Sequence, residues 1–479
     1  MQSITYHPIA LLKVGILHSN IHHLEISWTN LQVAFNFKAL EGIDFTHLRS
    51  LAIIGNLGDI TPIVNTIFKY PLPHLESIQL CCEGIKNTFL GSILASCRSL
   101  KFLSLHPFPR WGGVIDLEPF ISHCRHLQSL YINSLDSTMV FTDQVLTSIA
   151  QNCPNLKTIT LIYCPNISPT SLKYLLQHTP IESLQINNKS SLRVWSIPQM
   201  DEILQNFRLH SLSLHYCHSL TSRTFEQVLS QASPLHSLRL YECSSIEDFN
   251  PIFQLPMLQS LNLHNCPYLQ DYIFSSSTTI LSLRSIKFSC CNTLSDIGIL
   301  YLIQRCPHLN SAKFKSCSNI SGMSIIQLCI GCYELHTLHL HKMDRVSLEH
   351  LSTIQHQGTI RVKNLKIFDC ALISYMNLIE VVTLFSCLES LKISYCNDSY
   401  RRTRFVKVLI RQCPSLKYLF FHDETSPLVP REVMFIVGNL RNLKGLSVLM
   451  GDFLSEEHYD TVRRKYRALN PYLDLIIIH

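Results

Sequence analysis

The sequence predicts an α/β solenoid, a horseshoe in which parallel strands line the concave face and helices cover the convex face. Three observations support this fold class. A pattern of apolar residues recurs about every 26 residues, each copy begins with an apolar–polar alternation, and cysteines recur at two fixed positions of the copy. A solenoid core grows along one axis, so a chain of 479 residues need not split into several domains.

The stretch Cys306–Leu340 holds one full copy and the start of the next. The template is apolar-x-x-apolar-x-apolar-x-x-Cys, as in Leu309-x-x-Ala312-x-Phe314 continuing to Cys317. About seventeen copies fit it, at spacings of 23 to 29 residues, which is typical of leucine-rich repeats. Their first residues are Ile21, Leu48, Leu75, Leu100, Leu127, Leu156, Ile181, Leu209, Leu235, Leu258, Leu283, Leu309, Leu335, Val362, Leu388, Leu416 and Leu443.

Each copy predicts a strand, a turn and a helix in that order. The alternating fourth to sixth positions indicate a short strand with one buried face. Turns such as Asn292–Ser295 follow the cysteine position, and their Ser or Asp side chains cap the next helix. The helix ends near a Cys-Pro pair, because the residue before proline is pushed out of the helical region. One copy buries its apolar face only against its neighbours, so the strands form one parallel sheet.

The pattern also predicts the domain limits. Residues 1–20 are a cap or a degenerate first repeat, residues 21–450 are the repeat domain, and residues 451–479 are a helix–strand cap. In that cap, acidic Ser455–Glu457 precedes basic Arg463–Arg467, which places each charge at the favourable end of the helix dipole. The last strand is expected at Leu473–Ile478.

The cysteines indicate a reducing compartment. Fourteen of the 19 lie at two template positions, eight residues after the first apolar residue or three residues before it. Free cysteine is a small, readily buried hydrophobe, so this periodicity favours reduced interior thiols and a cytoplasmic or nuclear protein. No apolar run approaches the 18 residues of a membrane span, and we expect neither a membrane segment nor a signal peptide.

The pattern CPxLxxLxLxxCxxIS, seen in Cys153–Ser168 and in Cys306–Ser321, resembles the cysteine-containing, ribonuclease-inhibitor-like leucine-rich repeats of F-box/LRR proteins. The resemblance implies a repeat domain that recruits a protein substrate to an SCF-type ubiquitin ligase. It also implies an F-box that docks the Skp1 adaptor. No F-box signature is recognisable, and only 20 residues precede the first repeat, so we expect Skp1 binding only through an F-box outside this chain. The alternative is an F-box-less adaptor or inhibitor without a ligase role.

A basic ladder is the candidate binding site. The fifth template position lies between two buried positions, so its side chains should face the concave surface. The first eight of these positions carry no base, whereas the next seven carry five Lys or Arg and one His. Strands about 4.8 Å apart would make this ladder roughly 30 Å long. With seventh-position neighbours, the candidate residues are Arg239, His264, Lys287, Lys313, Lys315, His339, His341, Lys366 and Lys392.

Three interpretations of the ladder remain open. Lysine is a common exposed strand residue, and the ladder could carry no function. Alternatively, an acidic or phosphorylated partner protein binds there, because residues 283–420 hold 17 Lys/Arg against 8 Asp/Glu. A polyanion- or nucleic-acid-binding solenoid is disfavoured, since the chain is only mildly basic and aromatics for base stacking are few. An aromatic surface in the first half is a further alternative, formed by Trp28, Phe102, Tyr131, Tyr163 and Tyr216.

The sequence favours a protein without catalytic activity. It contains no glycine-rich phosphate loop, GxSxG or HExxH motif, and its cysteine pairs are those that the repeat imposes. We therefore expect no catalytic residue, no metal and no cofactor.

Overall fold

A computed structural model describes residues 3–6, 21–28, 40, 43–55, 61–82, 93, 98–106, 115–134, 139–164, 166–188, 209–218, 220–230, 234–275, 282–347, 360–394, 402–422, 428–449, 464, 466, 468–470 and 473–478. The chain divides into two compact units, Met1–Leu235 and His236–His479.

The first unit builds a parallel sheet from short strands. Strands β1 to β5, β7, β9, β10 and β11 pair in that order, each parallel to the next, and β6 pairs with β8. The elements are β1 (Ser3–Tyr6), β2 (His23–Trp28), β3 (Ser50–Gly55), α1 (Thr61–Ile67), β4 (Ser77–Cys82), β5 (Phe102–Leu105), β6 (Ile115–Asp116), α2 (Glu118–Ile121), β7 (Ser129–Asn133), β8 (Met139–Val140), α3 (Asp143–Asn152), β9 (Thr158–Ile162), α4 (Pro169–His178), β10 (Ser183–Asn187), β11 (Ser211–His215) and α5 (Ser222–Ser230).

The second unit repeats the arrangement with strands β12 to β21, each parallel to the next. Two short 3-10 helices stand in place of α-helices in this unit: η1 (Asn250–Gln254), where Pro251 and Pro256 leave little room for an α-helix, and η2 (Asp271–Phe274) in the next copy. The elements are β12 (Ser237–Tyr241), η1 (Asn250–Gln254), β13 (Ser260–His264), η2 (Asp271–Phe274), β14 (Ser285–Ser289), α6 (Asp296–Arg305), β15 (Ser311–Lys315), α7 (Gly322–Gly331), β16 (Thr337–His341), β17 (Asn364–Phe368), α8 (Tyr375–Leu384), β18 (Ser390–Ser394), α9 (Arg402–Gln412), β19 (Tyr418–His422), α10 (Pro430–Asn439), β20 (Gly445–Leu449) and β21 (Asp474–Ile478).

The core follows the template. Leu309, Ala312 and Phe314 are at most 1% exposed, and equivalent residues of the other described copies are buried in the same way. Aromatic rings of successive copies touch in the second unit, with 6.1 Å between the ring centroids of Phe288 and Phe314. The strand, turn and helix order, the parallel pairing and this periodic burial confirm the predicted fold class, an α/β leucine-rich-repeat solenoid.

The cysteine position closes each strand with a hydrogen bond. In seven copies the buried thiol donates to the carbonyl oxygen two residues earlier, over 3.4 to 3.7 Å. These thiols belong to Cys164, Cys217, Cys243, Cys266, Cys291, Cys317 and Cys370. Among the cysteines whose side chains the structure describes, none is in a disulfide bond. Burial raises the pKa of Cys291 to about 12, so its thiol is protonated at neutral pH.

The residue before this cysteine has an unusual backbone conformation. In eight copies it is a non-glycine residue with φ between 48° and 57°, the left-handed region, and in one of these copies Met343 stands in place of the cysteine. Its N–H points to the next strand, as where Cys290 donates to the carbonyl oxygen of Lys315 at 2.8 Å and Lys342 to that of Phe368 at 2.9 Å. The left-handed turn therefore extends the sheet by one hydrogen bond beyond each strand.

A carboxylate links successive turns in three places. Asp296, the first residue of α6, accepts hydrogen bonds from the backbone N–H of Ser321 at 2.7 Å and from the hydroxyl of Ser324 at 2.6 Å. Asp143 contacts the next copy at Ser168 and Ser171 in the same way, and Asp271 contacts Ser295. These acids satisfy N–H groups at the start of the following helix.

The described residues near both chain ends form strands. The strand predicted at Leu473–Ile478 is present as β21, and β1 adds a strand before the first predicted copy. Most of the predicted terminal helix lies outside the described residues, so the domain limits stay predictions. Within the described ranges, no helix combines the length and hydrophobicity that a membrane crossing needs.

Candidate binding face

Two rows of side chains form one face of the sheet in the second unit. Along each strand the fourth and sixth template positions are buried, so the fifth and seventh positions lie on the opposite face, which we call the open face. The fifth row is Arg239, Asn262, Lys287, Lys313, His339, Lys366, Lys392 and Phe420. The seventh row is Tyr241, His264, Ser289, Lys315, His341, Phe368, Ser394 and His422.

The structure brings all nine predicted site residues together on this face. Six lie in the fifth row and three in the seventh row. Lys287 is in register with Lys313, and Lys313 is in register with His339. Arg239, Lys313 and Lys315 are exposed, and the other six are half-buried. The ladder therefore exists as a continuous surface within one unit; whether it binds a ligand stays a prediction.

The lysines of the face lack carboxylate partners among the described residues. Several ion pairs of this unit lie at the strand starts instead, as between Arg284 and Glu334 at 2.6 Å or Lys417 and Glu389 at 2.6 Å. Another joins the helices, between Arg402 and Glu432 at 2.9 Å. Carboxylates that reach the face contact histidines, with Glu242 3.7 Å from His264 and Asp369 3.2 Å from His341. Like charges in register repel one another, so this arrangement gains nothing for the fold.

The histidines contribute less charge than their place in the ladder implies. Burial, reinforced by the charges of Lys366, His341, Lys313 and Lys287, lowers the pKa of His339 to about 4. Burial also lowers the pKa of His264, helped by Lys287 and Lys315 and opposed by Glu242. His339 is therefore neutral at pH 7, and the lysines and Arg239 supply the positive charge of the face.

Three polar atoms of the open face are buried without a hydrogen-bond partner among the described residues. They are the Ser289 hydroxyl, Nε2 of His339 and Oδ1 of Asn262. Ser289 is only 1% exposed, although its strand position faces away from the core. Unsatisfied buried polar groups are rare and costly in folded proteins, and they concentrate where a ligand or ordered water completes the bonding.

Aromatic rings stand among the cations. The Lys287 Nζ lies 6.0 Å from the ring centroid of Tyr241, and the Lys392 Nζ lies 5.4 Å from that of Phe420. The rings of Phe368 and Phe420 are 6.1 Å apart, and Phe420 stacks on His422 at 3.6 Å. Ser289 and Phe420 were not predicted as site residues, although they occupy the same template positions as residues that were.

The open face of the first unit differs in charge. Its fifth-position side chains from Ala52 to Ser213 are uncharged, and Ser104, Thr160 and Ser213 are buried. The predicted aromatic surface is half-buried at Phe102, Tyr131, Tyr163 and Tyr216, and the Trp28 side chain lies outside the described residues. A role for this surface stays a prediction. In the part of the chain that the structure describes, no three His, Cys, Asp or Glu side chains are placed to hold a metal ion.

No family model matches the sequence. Over 151 residues the chain is 28% identical to the BTB/POZ domain-containing protein FBL11 of Arabidopsis thaliana. That match covers 31% of this chain and only 15% of the relative's length. A chain of the Rad7 and Elc1 complex in yeast is similar over 82% of this chain and 88% of its own, with 17% identity and a TM-score of 0.47. The Leptospira interrogans LRR protein LIC12759 is similar over 99% of both chains, with 15% identity and a TM-score of 0.35. The fold assignment rests on the repeat geometry described above.

Proposed function

We propose that this chain is a non-catalytic protein-interaction scaffold whose open face in the second unit binds an acidic or phosphorylated segment of a partner protein. In the same proposal it is the substrate-recognition repeat domain of an SCF-type ubiquitin ligase receptor, acting in the cytoplasm or nucleus. The partial likeness to FBL11 and the repeat pattern support the receptor role.

One observation carries the binding proposal. Lys287, Lys313 and His339 stand in register on adjacent strands, Lys366 and Lys392 continue the row, and the ion pairs of the described residues leave all four lysines out. Folding alone does not reward such a row, because the like charges repel and Lys366 is partly desolvated. Burial, together with Lys392 and Lys313, lowers the pKa of Lys366. An anionic ligand would relieve this repulsion.

Charge reversal tests the binding proposal. The variant with Lys287, Lys313, Lys366 and Lys392 changed to Glu should lose binding to poly-L-glutamate and to phosphorylated casein, measured by biolayer interferometry at low salt. The matched control reverses four exposed cations of the helical side, Arg404, Lys407, Arg431 and Arg441, and keeps the same net charge. The control should bind as the unmodified chain does. Equal loss in both variants would show a nonspecific charge effect and would overturn the proposed face.

The receptor role has a separate test. Purified Skp1 should not be retained by this chain alone, and it should be retained when an F-box segment precedes the repeats. Skp1 bound by the chain alone would place the adaptor contact on the repeats, contrary to the proposal. Failure of the F-box fusion to recruit Skp1 would favour an adaptor without a ligase role.

A further inference from the structure

We propose that the open face holds two adjoining subsites that together bind a phosphorylated peptide segment carrying an apolar side chain about three to six residues from its phosphoryl group. The first subsite, the phosphate clamp, consists of Lys287, Ser289, Lys313, Lys315 and His339. The second, the aromatic shelf, consists of Phe368 and Phe420. This inference rests on the proposed function and specifies the chemistry of the partner.

The clamp is built from adjacent strands in register. Lys287 pairs with Lys313, and Ser289 pairs with Lys315, two residues further along the same two strands. Neighbouring strands are about 4.8 Å apart, and residues two apart on a strand are about 6.6 Å apart. The backbone positions of three lysines and one serine therefore border an area about the size of one phosphoryl group, and lysine side chains are long and flexible enough to turn toward it. His339 borders it on the next strand, in register with Lys313.

The donors of the clamp favour a phosphoryl group over a carboxylate. Ser289 is only 1% exposed, and its hydroxyl has no hydrogen-bond partner among the described residues. Nε2 of His339 is also buried and has no hydrogen-bond partner among them. A phosphoryl group offers three acceptor oxygens and nearly two negative charges, which match several cations and two neutral donors. A carboxylate has two oxygens and one charge, so it would leave part of this donor set unsatisfied.

The shelf adjoins the clamp through His339. The ring centroids of His339 and Phe368 are 5.6 Å apart, and Phe368 contacts Phe420 at 6.1 Å. Both phenylalanines are half-buried, so each leaves ring surface for an apolar ligand side chain. Phe368 lies two strands from β15 and Phe420 lies four strands from it, so the shelf residues are about 10 Å and about 19 Å from the clamp. An extended peptide covers these distances with about three to six residues, which sets the predicted spacing.

Four synthetic peptides test the two subsites. The first is a fluorescein-labelled Gly/Ser peptide with one phosphoserine and a leucine about four residues later. The others replace phosphoserine by Glu, leucine by Gly, or move the leucine next to the phosphoserine. By fluorescence anisotropy, we expect the first peptide to bind tightest and each change to weaken binding about tenfold. Equal binding of the Glu and phosphoserine peptides would overturn the clamp, and indifference to the leucine would overturn the shelf.

Variants separate the subsites from the general charge of the face. Ser289→Ala should reduce the advantage of the phosphoserine peptide over the Glu peptide about tenfold, and Ser289→Thr should restore it. Phe420→Ala should remove the advantage of the leucine peptide over the glycine peptide. Ser104→Ala changes a similarly buried open-face serine of the first unit and should have no effect. Thermal unfolding confirms that each variant is folded.

The outcomes distinguish this inference from the proposed function. Binding of poly-L-glutamate without a preference for phosphoserine would overturn the clamp and leave the basic face standing. No binding of any peptide or of poly-L-glutamate would overturn both. Poly(U) RNA that binds more tightly than the first peptide, and that loses affinity in Phe420→Ala, would replace the peptide by a nucleic acid.

Discussion

The thiol of Cys291 donates a hydrogen bond to the carbonyl oxygen of Ser289 across 3.4 Å. It also lies 3.7 Å from the carbonyl oxygen of Leu263 in the preceding strand. A fully buried core atom thus holds the end of the strand that presents the Ser289 hydroxyl on the open face. Core packing and the candidate site are therefore coupled at this residue.

Replacing Cys291 by alanine should weaken both the packing of the core and the binding of phosphoserine at the clamp. The change removes a buried sulfur and its hydrogen bonds, and we expect the free energy of unfolding to fall by about 1–2 kcal/mol. Urea unfolding measures the loss, and the peptide titration reports whether phosphoserine binding weakens with it. Cys290→Ala is the matched control, because that neighbouring side chain is only half-buried. A Cys291 variant as stable as the control would contradict the structural role of the thiol.

Asp296 should stabilise the protein in a pH-dependent manner. Burial alone would raise the pKa of Asp296, but hydrogen bonds from Ser321 and Ser324 lower it below its usual value of 3.8. The carboxylate therefore stabilises the fold above about pH 4, and this contribution is lost as the pH falls through the lower, folded-state pKa. Asp296→Ala should cost about 1–3 kcal/mol at pH 7, measured by urea unfolding.

The free energy of unfolding of Asp296→Ala should approach that of the unmodified chain as the pH falls below 3.8. Glu226→Ala, at an exposed position of α5, should leave stability within about 0.5 kcal/mol at neutral pH. If the Asp296 variant and the unmodified chain stayed equally far apart in acid, the hydrogen-bonded carboxylate would not be the cause.

Two helical glycines should respond to alanine with opposite signs. A Cβ at Gly298, inside α6, would collide with the Asp271 carboxylate, which hydrogen bonds from Ser295 hold in place, and with the end of the Leu294 side chain. A Cβ at Gly438, inside α10, would meet nothing within 4 Å. Gly438→Ala should therefore raise the free energy of unfolding by about 0.5–1 kcal/mol through helix propensity, whereas Gly298→Ala should lower it by about 1–3 kcal/mol. Thermal unfolding of the pair measures the difference, and a stabilised Gly298→Ala would show that Asp271 yields easily.

His339 should make the fold less stable in mild acid. Its pKa is about 4 in the folded protein and near 6.5 when unfolded, so below pH 6.5 the unfolded state binds the proton more readily. Stability should therefore fall as the pH drops from about 6.5 to about 4, and then level off for this group. The facing cations Lys366, Lys313 and Lys287 reinforce the effect, and His341 is itself paired with Asp369.

His339→Gln should flatten that part of the pH profile of the melting temperature, and the exposed His126→Gln should not. The proton resonances of the His339 ring should titrate below pH 5. A ring that titrates near the usual histidine pKa of 6.5 would contradict the lowering of the His339 pKa by burial and the neighbouring lysines.

The repeat template predicted the fold and the fifth row because one period of apolar residues determines both the buried and the open positions. Lys313 and His339 were assigned to neighbouring strands from spacing alone, and the register places them opposite each other. Other features depend on contacts between copies that no single copy encodes. The link from Asp296 to Ser321 is one, and the left-handed turn at Cys290 is another, since glycine does not mark it.

The repeat template also could not predict the neutral state of His339. It depends on burial and on lysines from three other strands, so residue type alone predicted a cation where the folded protein holds a neutral ring. Ser289 was not predicted as a site residue for a related reason. A serine is unremarkable in sequence, and its unsatisfied hydroxyl is visible only once its neighbours cover it.

The parallel register has a kinetic consequence. Each strand partner is one copy away, as Lys313 and His339 are 26 residues apart, so almost no pairing requires distant parts of the chain to meet. Because every copy closes a loop of about the same length, the entropy cost of adding a strand is about the same for the last copy as for the first. A long chain of low contact order can grow from any nucleus by adding neighbours. We expect each copy to dock as it leaves the ribosome, long before synthesis of the chain is complete.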